Sequence, residues 1–259
     1  MKNLKESAYK LNFLEESAEN TTIIHRLNPL TKTIATFMYV VIVVSFERHN
    51  VSSLMPYFFY PIIVGALSNV PYKLLLSRLA IAMPFCVFAG FTNLFFEKNI
   101  AFYINSNIGI SFGVLSFSSI IIKSILTVMA VLLLIATTSM PMLARQLISL
   151  HLPTSFVLVI SLMYRYISVL IEESSNMYTA YLLRSGSKNG IKLKDIGPFL
   201  GQLILRSFDK AEQIYRAMKC RGFSSDYSYV PIQKIPPVEW LYLIILNIIL
   251  IFFRFFKFY

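Results

Sequence analysis

The sequence predicts an all-α integral membrane protein with about five transmembrane helices and a set of long cytoplasmic helices before the last of them. Of its 259 residues, 56% are hydrophobic and 14% are charged, and its mean hydropathy is +0.63. Such a composition is too apolar for a soluble globule. Five apolar stretches approach the roughly 20 residues that cross a bilayer as a helix, and the surplus of basic residues collects outside them.

The apolar stretches lie in the first half of the chain and at its end. They are 30–46, 54–70, 79–96, 116–138 and 238–256. Pro56, Pro61 and Pro84 lie in or near the second and third, where helices in a bundle tolerate proline because neighbouring groups satisfy the freed carbonyls. The predicted domains are an N-terminal cytoplasmic segment (1–25), transmembrane helices one to four (26–140), a cytoplasmic region (141–229) and a C-terminal transmembrane helix (230–259).

Basic residues beside the predicted spans indicate a cytoplasmic N-terminus. Those before the first span, between the second and third, and after the fourth are Lys2, Lys5, Lys10, Arg26, Lys73, Arg78 and Arg145. The alternate connections are balanced, with Glu47 beside Arg48 and Glu97 beside Lys98. Positive charge favours the cytoplasmic side of a membrane. We therefore expect a multi-pass protein that has the lipid bilayer as a constant partner.

Two long helices are predicted in the cytoplasmic region. The first covers 155–184, where about 30 residues contain no proline or glycine, and it would be roughly 45 Å long. Its residues change from apolar to polar, and Gly186 is its expected stop. The second helix is predicted to begin near Pro198, a residue suited to a first helical turn, and to run to Gly222.

An apolar stripe runs along the second of these helices, because apolar residues recur there every three or four positions. They are Leu200, Ile204, Phe208, Ala211, Tyr215 and Met218. On the polar face, Glu212 and Arg216 are four residues apart and are expected to pair. From this pattern alone, the helix is suited either to a protein surface or to anionic lipid.

Both long helices are expected to end in an arginine followed by small residues, as Leu183-Arg184-Ser185 and Cys220-Arg221-Gly222. Two interpretations are open. A cation at a helix C-terminus is stabilised by the macrodipole, so ordinary capping explains the pattern. Alternatively, the two guanidinium groups are contacts to acidic grooves on a partner, because the planar fork of arginine binds carboxylates in a bidentate manner.

A polar interruption, Tyr164-Arg165-Tyr166, lies within the apolar part of the first long helix. Arg165 is expected near the cytoplasmic interface, where it either reaches lipid headgroups or pairs with Glu172 one to two turns later. We therefore expect Arg165 and Glu172 to act as a structural hinge rather than as a substrate contact.

Several kinds of chemistry are not indicated by the sequence. The phosphate-binding pattern GxxxxGK[ST] does not occur, so the chain is not expected to hydrolyse ATP itself. His25, His49 and His151 are isolated, and neither metal-ligand spacing nor a nucleophile motif occurs, so no metal site, cofactor or catalytic residue is expected. The basic residues lack regularly interleaved aromatic side chains, so nucleic acid is not an expected partner.

The order of several short motifs resembles the transmembrane T component of energy-coupling factor (ECF) transporters, and most of all the CbiQ type associated with cobalt uptake. The motifs are HRLNPLTK at 25–32, GFTNLF at 90–95, ATT at 136–138, YRY at 164–166, EE at 172–173, LRS at 183–185, RSF at 206–208 and AMKCRGF at 217–223. Asn28, Leu30 and Leu94 depart from the residues common in that family, whereas the two arginines are retained.

The resemblance implies a non-catalytic transporter subunit in the plasma membrane of a prokaryote. The long helices would be coupling helices that dock on a pair of ABC-type ATPases through Leu183, Arg184, Ser185, Cys220, Arg221 and Gly222. The membrane helices would hold a small substrate-binding S component similar to CbiM, and the cargo would be cobalt for cobalamin synthesis. The alternatives are a T component shared by vitamin or nickel S components, and a membrane scaffold whose basic helices meet anionic headgroups.

Overall fold

The computed structural model describes residues 22–47, 51–96, 100–105, 108–150, 152–186, 190–223 and 236–255. Most of the predicted N-terminal segment, 1–25, lies outside them. In chain order the elements are α1 (Ile23–Arg26), α2 (Pro29–Val44), a 3-10 helix (Ser52–Phe58), α3 (Phe59–Ser68), α4 (Tyr72–Phe96), β1 (Ile100–Asn105), β2 (Ile108–Ser111), α5 (Phe112–Thr137), α6 (Met140–Gln146), a second 3-10 helix (Leu147–Leu150), α7 (Thr154–Ser185), α8 (Leu193–Cys220) and α9 (Pro237–Phe255).

The chain divides into two units. One comprises Glu15–Ser139 with Gln233–Tyr259 and contains α1 to α5 and α9; we call it the membrane unit. The other comprises Met1–Leu14 with Met140–Ile232 and contains α6 to α8; we call it the hairpin unit.

The prediction of a helical membrane protein is confirmed, since all five apolar stretches form helices. Within the described residues, the stretches long and apolar enough to cross a membrane are Leu75–Thr92, Phe112–Thr137, Thr154–Ser185 and Pro237–Arg254, with shorter apolar helices at Pro29–Val44 and Ser52–Ser68. The second predicted span divides into a 3-10 helix containing Pro56 and the helix α3, which has Pro61 in its first turn. Proline cannot donate a backbone hydrogen bond, so the chain tightens there instead of continuing one α-helix.

A short antiparallel hairpin joins α4 to α5 and was not predicted. Ile100 pairs with Ser111 and Asn105 with Ile108, with two irregularities in the register between them. Isoleucine, phenylalanine and tyrosine in β1 favour extended backbone. The hairpin is a local addition to a helical fold.

Three tyrosines form the centre of the membrane unit. The hydroxyl of Tyr39 on α2 donates to the carbonyl of Tyr57 at 2.9 Å, and the hydroxyl of Tyr57 donates to the carbonyl of Leu250 on α9 at 2.8 Å. The Tyr39 ring also stacks on that of Tyr60, with centroids 4.4 Å apart. These contacts bind α2, the first 3-10 helix and α9 together, as interhelical hydrogen bonds do in membrane bundles.

The helices α4 and α5 approach each other closely. Gly90 on α4 is buried, and a Cβ atom added there would lie 2.9 Å from Cδ2 of Phe117 on α5. A larger residue at position 90 would therefore force the Phe117 ring to shift, and small residues are common at such contacts between membrane helices.

The carboxylate of Glu239, at the start of α9, holds the start of α2. Its two oxygens accept from the backbone N–H of Asn28 at 3.1 and 3.0 Å, and one of them accepts from the Thr31 hydroxyl at 2.6 Å. The Asn28 side chain itself caps α2 by accepting from the N–H of Leu30 at 3.0 Å. Glu239 is only 8% exposed, so its charge is stabilised by these donors and by the positive end of the α2 dipole.

Lys32 ties the same end of α2 to the end of α5. Its ammonium group is buried and donates to the carbonyl of Thr137 at 2.7 Å, which satisfies a carbonyl that has no partner inside α5. The Glu239 carboxylate also attracts this ammonium group electrostatically. The start of α2, the end of α5 and the start of α9 therefore meet in one buried polar cluster, formed by Asn28, Thr31, Lys32, Thr137 and Glu239.

Replacement of Glu239 by alanine is expected to destabilise the membrane unit strongly. It would leave the Asn28 N–H and the Thr31 hydroxyl without their acceptor and remove the counter-charge of Lys32, a loss of about 3 to 5 kcal/mol for a buried charged network. Glu212→Ala is the control, since Glu212 pairs with Arg216 on an exposed helix face, where such pairs contribute at most about 0.5 kcal/mol. Unfolding of the purified chain in detergent, followed by circular dichroism, measures both. Equal effects would contradict the role assigned to Glu239.

Candidate functional site

The helix α7 agrees closely with the helix predicted over 155–184. It comprises 32 residues, Thr154–Ser185, and is about 48 Å long. Gly186 follows it with a φ of +60°, a left-handed conformation that glycine adopts without strain. The N–H of Gly186 donates to the carbonyl of Leu182 at 3.1 Å, which completes the expected stop.

The predicted start of α8 near Pro198 is wrong. The helix begins five residues earlier, at Leu193, after an extended Lys192, and Pro198 lies inside it. Asp195 occupies the first turn, where its N–H donates to the carbonyl of Lys192 at 2.8 Å and a carboxylate is favoured by the helix dipole. The proline removes one helical hydrogen bond, and its exposed position allows water to replace that bond.

The hydroxyl of Tyr181 explains the early start of α8. It donates to Oδ2 of Asp195 at 2.7 Å and accepts from the N–H of Lys192 at 3.3 Å. One side chain near the end of α7 therefore fixes the first turn of α8. Farther from the turn, Glu173 of α7 pairs with Arg206 of α8. These contacts hold α7 and α8 together as an antiparallel helical hairpin.

The predicted apolar stripe is present on α8 but stays largely uncovered. Leu200, Ile204, Phe208 and Tyr215 are between 49% and 70% exposed. On the polar face, Arg216 pairs with Glu212 at 2.5 Å, which confirms that prediction. The hydrophobic side chains of α8 are thus available to a partner or to lipid, because no other part of the described hairpin unit buries them.

An apolar groove lies between the first half of α7 and the second half of α8. Its volume is about 430 Å³, and it lies on the side of the Glu173–Arg206 pair that is farther from the turn. Its walls are formed mainly by Leu162, Met163, Tyr166, Ile214, Tyr215 and Met218. The groove and the stripe form one continuous apolar surface through Tyr215 and Met218.

The two arginine motifs lie at helix ends, as predicted, but the two ends differ. Arg184 belongs to the last turn of α7, which closes with a single hydrogen bond from Gly186. Arg221 is the first residue after α8 and belongs to a Schellman motif, in which the N–H of Gly222 donates to Lys219 and that of Phe223 to Met218, both at 3.0 Å. Gly222 has a φ of +80°, so each turn depends on its glycine.

Neither guanidinium group is covered by the described residues. Arg184 and Arg221 are exposed, and within the described ranges neither side chain has a hydrogen-bond or ion-pair partner. The other residues named with them, which are Leu183, Ser185, Cys220 and Gly222, are exposed too. Because Tyr181 holds the end of α7 at the start of α8, the two arginines lie at opposite ends of α8, whose 28 residues extend about 42 Å.

The expected pairing of Arg165 with Glu172 is not observed among the described residues. The guanidinium of Arg165 instead lies 5.6 Å from the centre of the Tyr166 ring, a favourable cation–π distance. It is Glu173 that forms the ion pair, with Arg206. The helix continues through 164–173 without a break, and the hinge role of Arg165 and Glu172 stays a prediction.

The sequence analysis missed the residues that hold this site together. Glu173 was detectable, because it continues the series Leu162, Tyr166 and Leu170 on the face of α7 that lines the groove. Tyr181 and Asp195 lie on different helices, so no helical period relates them. Within the described part of the chain, no group of three or more histidine, cysteine, aspartate or glutamate side chains is placed to hold a metal ion.

Known proteins resemble this chain over most of its length. A family model described as CbiQ, cobalt transport protein, matches residues 20–232. The energy-coupling factor transporter transmembrane protein EcfT of Bacillus subtilis is 28% identical over 218 residues, covering 78% of this chain and 81% of the relative. EcfT of Streptococcus equi is 24% identical over 219 residues, covering 78% and 80%. EcfT of Ruminiclostridium cellulolyticum is 25% identical over 216 residues, with the same coverage.

Replacement of Tyr181 by phenylalanine is expected to loosen the turn between α7 and α8, because the hydroxyl that binds Asp195 and Lys192 is lost. Deleting such a bond removes about 0.5 to 1.5 kcal/mol, or up to about 3 kcal/mol where the acceptor is charged. Amide hydrogen exchange in the first turn of α8 should then become severalfold faster. Tyr215→Phe is the matched control, since within the described residues the Tyr215 hydroxyl makes no hydrogen bond. Unchanged exchange in Tyr181→Phe would contradict the role of this contact.

Proposed function

The chain belongs to the CbiQ family of cobalt transport proteins, and from this membership we propose that it couples ATP hydrolysis by partner subunits to import through an energy-coupling factor transporter. The curated relatives are transmembrane proteins of such transporters by name. The observation that carries the proposal is the pair of exposed arginines at the two ends of α8, in the motifs on which the family resemblance rests. In this role the chain is a membrane subunit without catalytic residues of its own.

The proposed docking uses Arg184 and Arg221 as separate contacts to a pair of ABC-type ATPases. About 42 Å of helix separates them, which suits two contacts on two subunits better than one shared pocket. An exposed guanidinium at a helix end meets a carboxylate without steric hindrance and binds it through two parallel hydrogen bonds. When the ATPases close on ATP, the distance between their docking grooves changes, and the α7–α8 hairpin receives that movement as a stiff rod.

The contacts of the buried polar cluster support a topology in which α7 does not cross the membrane. Lys32 bonds to the end of α5 and Asn28 to the start of α9, so the chain leaves and re-enters the membrane unit on the same side of the bilayer. A crossing by α7 would require a second crossing before α9, and α8 is too polar for it. We place the hairpin unit and the N-terminus on the cytoplasmic side, because basic residues flank the spans there.

We propose cobalt as the cargo, on the basis of the family description. In this assignment a small membrane-embedded S component, similar to CbiM, binds the ion, and the apolar surface of α7 and α8 or the membrane helices hold that subunit. A T component that serves several S components, for vitamins or nickel, is the second candidate. It is favoured by the relatives, whose names specify no ion.

A non-transport scaffold is the remaining alternative, in which the basic hairpin unit lies on anionic headgroups. The docking hypothesis and the scaffold hypothesis predict different effects of lysine at the two arginine positions. Headgroups respond mainly to point charge, whereas a carboxylate groove requires the planar fork. Arg184→Lys and Arg221→Lys should therefore weaken ATPase binding but leave vesicle binding unchanged, and Lys192→Arg and Lys194→Arg should affect neither.

Reversal of both charges tests the docking role. In Arg184→Glu with Arg221→Glu, the yield of ATPase that co-purifies with the tagged chain should fall by about tenfold or more, because truncating a paired interface charge costs about 2 to 5 kcal/mol. Lys194→Glu with Lys210→Glu is the matched control, since it makes the same charge change at exposed positions of α8. Normal assembly and uptake by the double arginine variant would refute the proposal.

Co-purification and uptake identify the cargo. The tagged chain, expressed with its neighbouring reading frames and purified in mild detergent, should bring down ABC ATPases and a small membrane protein. Deletion of the gene should abolish cobalt uptake and leave riboflavin and biotin uptake intact. If vitamin uptake were lost instead, the chain would still be a T component, but one shared by vitamin S components and not one dedicated to cobalt. Recovery of neither partner would favour the scaffold.

A further inference from the structure

A small cavity lies inside the membrane unit, beside the buried polar cluster. Its volume is about 20 Å³, and α1, α2, α3, α5 and α9 each contribute to its walls. Polar side chains from four of these helices line it, and they are Lys32, Thr36, Tyr60, Thr137 and Tyr242. The other lining side chains are aliphatic. Cavities lined only by apolar groups stay dry, whereas a polar lining is typical of sites that hold buried water.

The ammonium group of Lys32 has hydrogen bonds left to make. A lysine carries three N–H donors, and among the described residues the carbonyl of Thr137 is the acceptor for one of them. Glu239, which accepts from Asn28 and Thr31, attracts this ammonium group electrostatically from beyond hydrogen-bond distance. Lys32 is only 7% exposed, and a buried donor without an acceptor is costly, above all when it is charged. A further acceptor is therefore expected on the cavity side.

Two tyrosine hydroxyls of the lining also have unused hydrogen-bonding capacity. The Thr36 hydroxyl donates to the carbonyl of Lys32 at 2.8 Å. Because its one hydrogen is used there, Tyr60 is the donor in the 3.3 Å contact between the Tyr60 and Thr36 hydroxyls, and the Tyr60 oxygen stays available as an acceptor. The Tyr242 hydroxyl has no hydrogen-bond partner among the described residues, although it interacts electrostatically with that of Tyr60. Donors and an acceptor without protein partners therefore surround the cavity.

We propose that this cavity is a binding site for one internal water molecule. The water accepts from the Lys32 ammonium group and donates to the Tyr60 oxygen, and the Tyr242 hydroxyl is its third partner. The volume of about 20 Å³ exceeds the roughly 10 to 15 Å³ that a water needs, and about three hydrogen bonds are usual for a buried water. The site goes beyond the proposed function and depends on no partner subunit.

The charges around the cavity favour a neutral ligand. A cation would be repelled by the Lys32 ammonium group, and an anion by the Glu239 carboxylate that acts on the same group. A water also links Tyr242 on α9 to α2 and α3 without a direct hydrogen bond, since a bridging water is nearly as favourable in enthalpy as a direct contact. The buried polar cluster, which joins α2, α5 and α9, thereby extends to α3 through Tyr60.

Hydroxyl-radical footprinting tests the site on the full chain in detergent. A short X-ray pulse generates radicals from bound as well as bulk water, and radicals from a bound water oxidise the side chains beside it. Leu133 and Leu126 are a matched pair on α5, since they are 1% and 0% exposed and, of the two, Leu133 lines this cavity. We expect severalfold more oxidation of Leu133 than of Leu126, measured by mass spectrometry of the peptides. Equal oxidation of the two leucines would overturn the proposal.

The variant Tyr242→Phe provides a second measurement, whose sign separates a hydrated site from a dry one. In a dry cavity, deletion of a hydroxyl that has no protein partner would leave stability unchanged or raise it. If the hydroxyl binds a water held by Lys32 and Tyr60, its loss should lower the unfolding midpoint by a few degrees, as followed by circular dichroism. Tyr215→Phe is the control and should leave the midpoint unchanged, since within the described residues the Tyr215 hydroxyl makes no hydrogen bond. An unchanged or higher midpoint for Tyr242→Phe would contradict the proposal.

Discussion

A helix that begins inside a membrane protein has N–H groups without acceptors, and no water is available in the bilayer to satisfy them. In this chain the Asn28 side chain meets that requirement for the Leu30 N–H of α2, and the Glu239 carboxylate holds this cap in place by accepting from the Asn28 N–H and the Thr31 hydroxyl. A buried carboxylate itself needs positive partners. The positive end of the α2 dipole and the Lys32 ammonium group supply them. Lys32 then satisfies a carbonyl at the end of α5. The positions of α2, α5 and α9 thus depend on one buried acidic side chain.

The hairpin unit is built differently. Two polar contacts join its helices, one between Glu173 and Arg206 and one between Tyr181 and Asp195. These side chains are exposed or half-buried. Its apolar residues are not gathered into a closed core, for most of the stripe on α8 is exposed. A hairpin with an uncovered apolar surface and charged ends is suited to contacts with other molecules.

These two kinds of construction suit the proposed role of the chain as a subunit that transmits movement. The membrane unit has buried hydrogen bonds that link helices far apart in sequence, whereas the hairpin unit presents two arginines about 42 Å apart on one rod. In the proposed coupling role, the contact of Tyr181 at the turn would make α7 and α8 move together when either end is displaced. The glycines after Arg184 and Arg221, both with positive φ, end the helices sharply and leave the guanidinium groups uncovered.

The sequence by itself determined the helices, the membrane character and the exposed arginine ends, because composition and periodicity are local properties that a residue shares with its near neighbours. The start of α8 was misjudged, since Pro198 has a local preference that Tyr181 and Asp195 override through a contact between helices. The hairpin of β1 and β2 was missed, because its short strands lie between two long apolar segments. Only the tertiary structure decided the partners of Glu239, Lys32 and Glu173. Asn28 and Glu239 are 211 residues apart, and which buried charge meets which donor depends on how the helices pack.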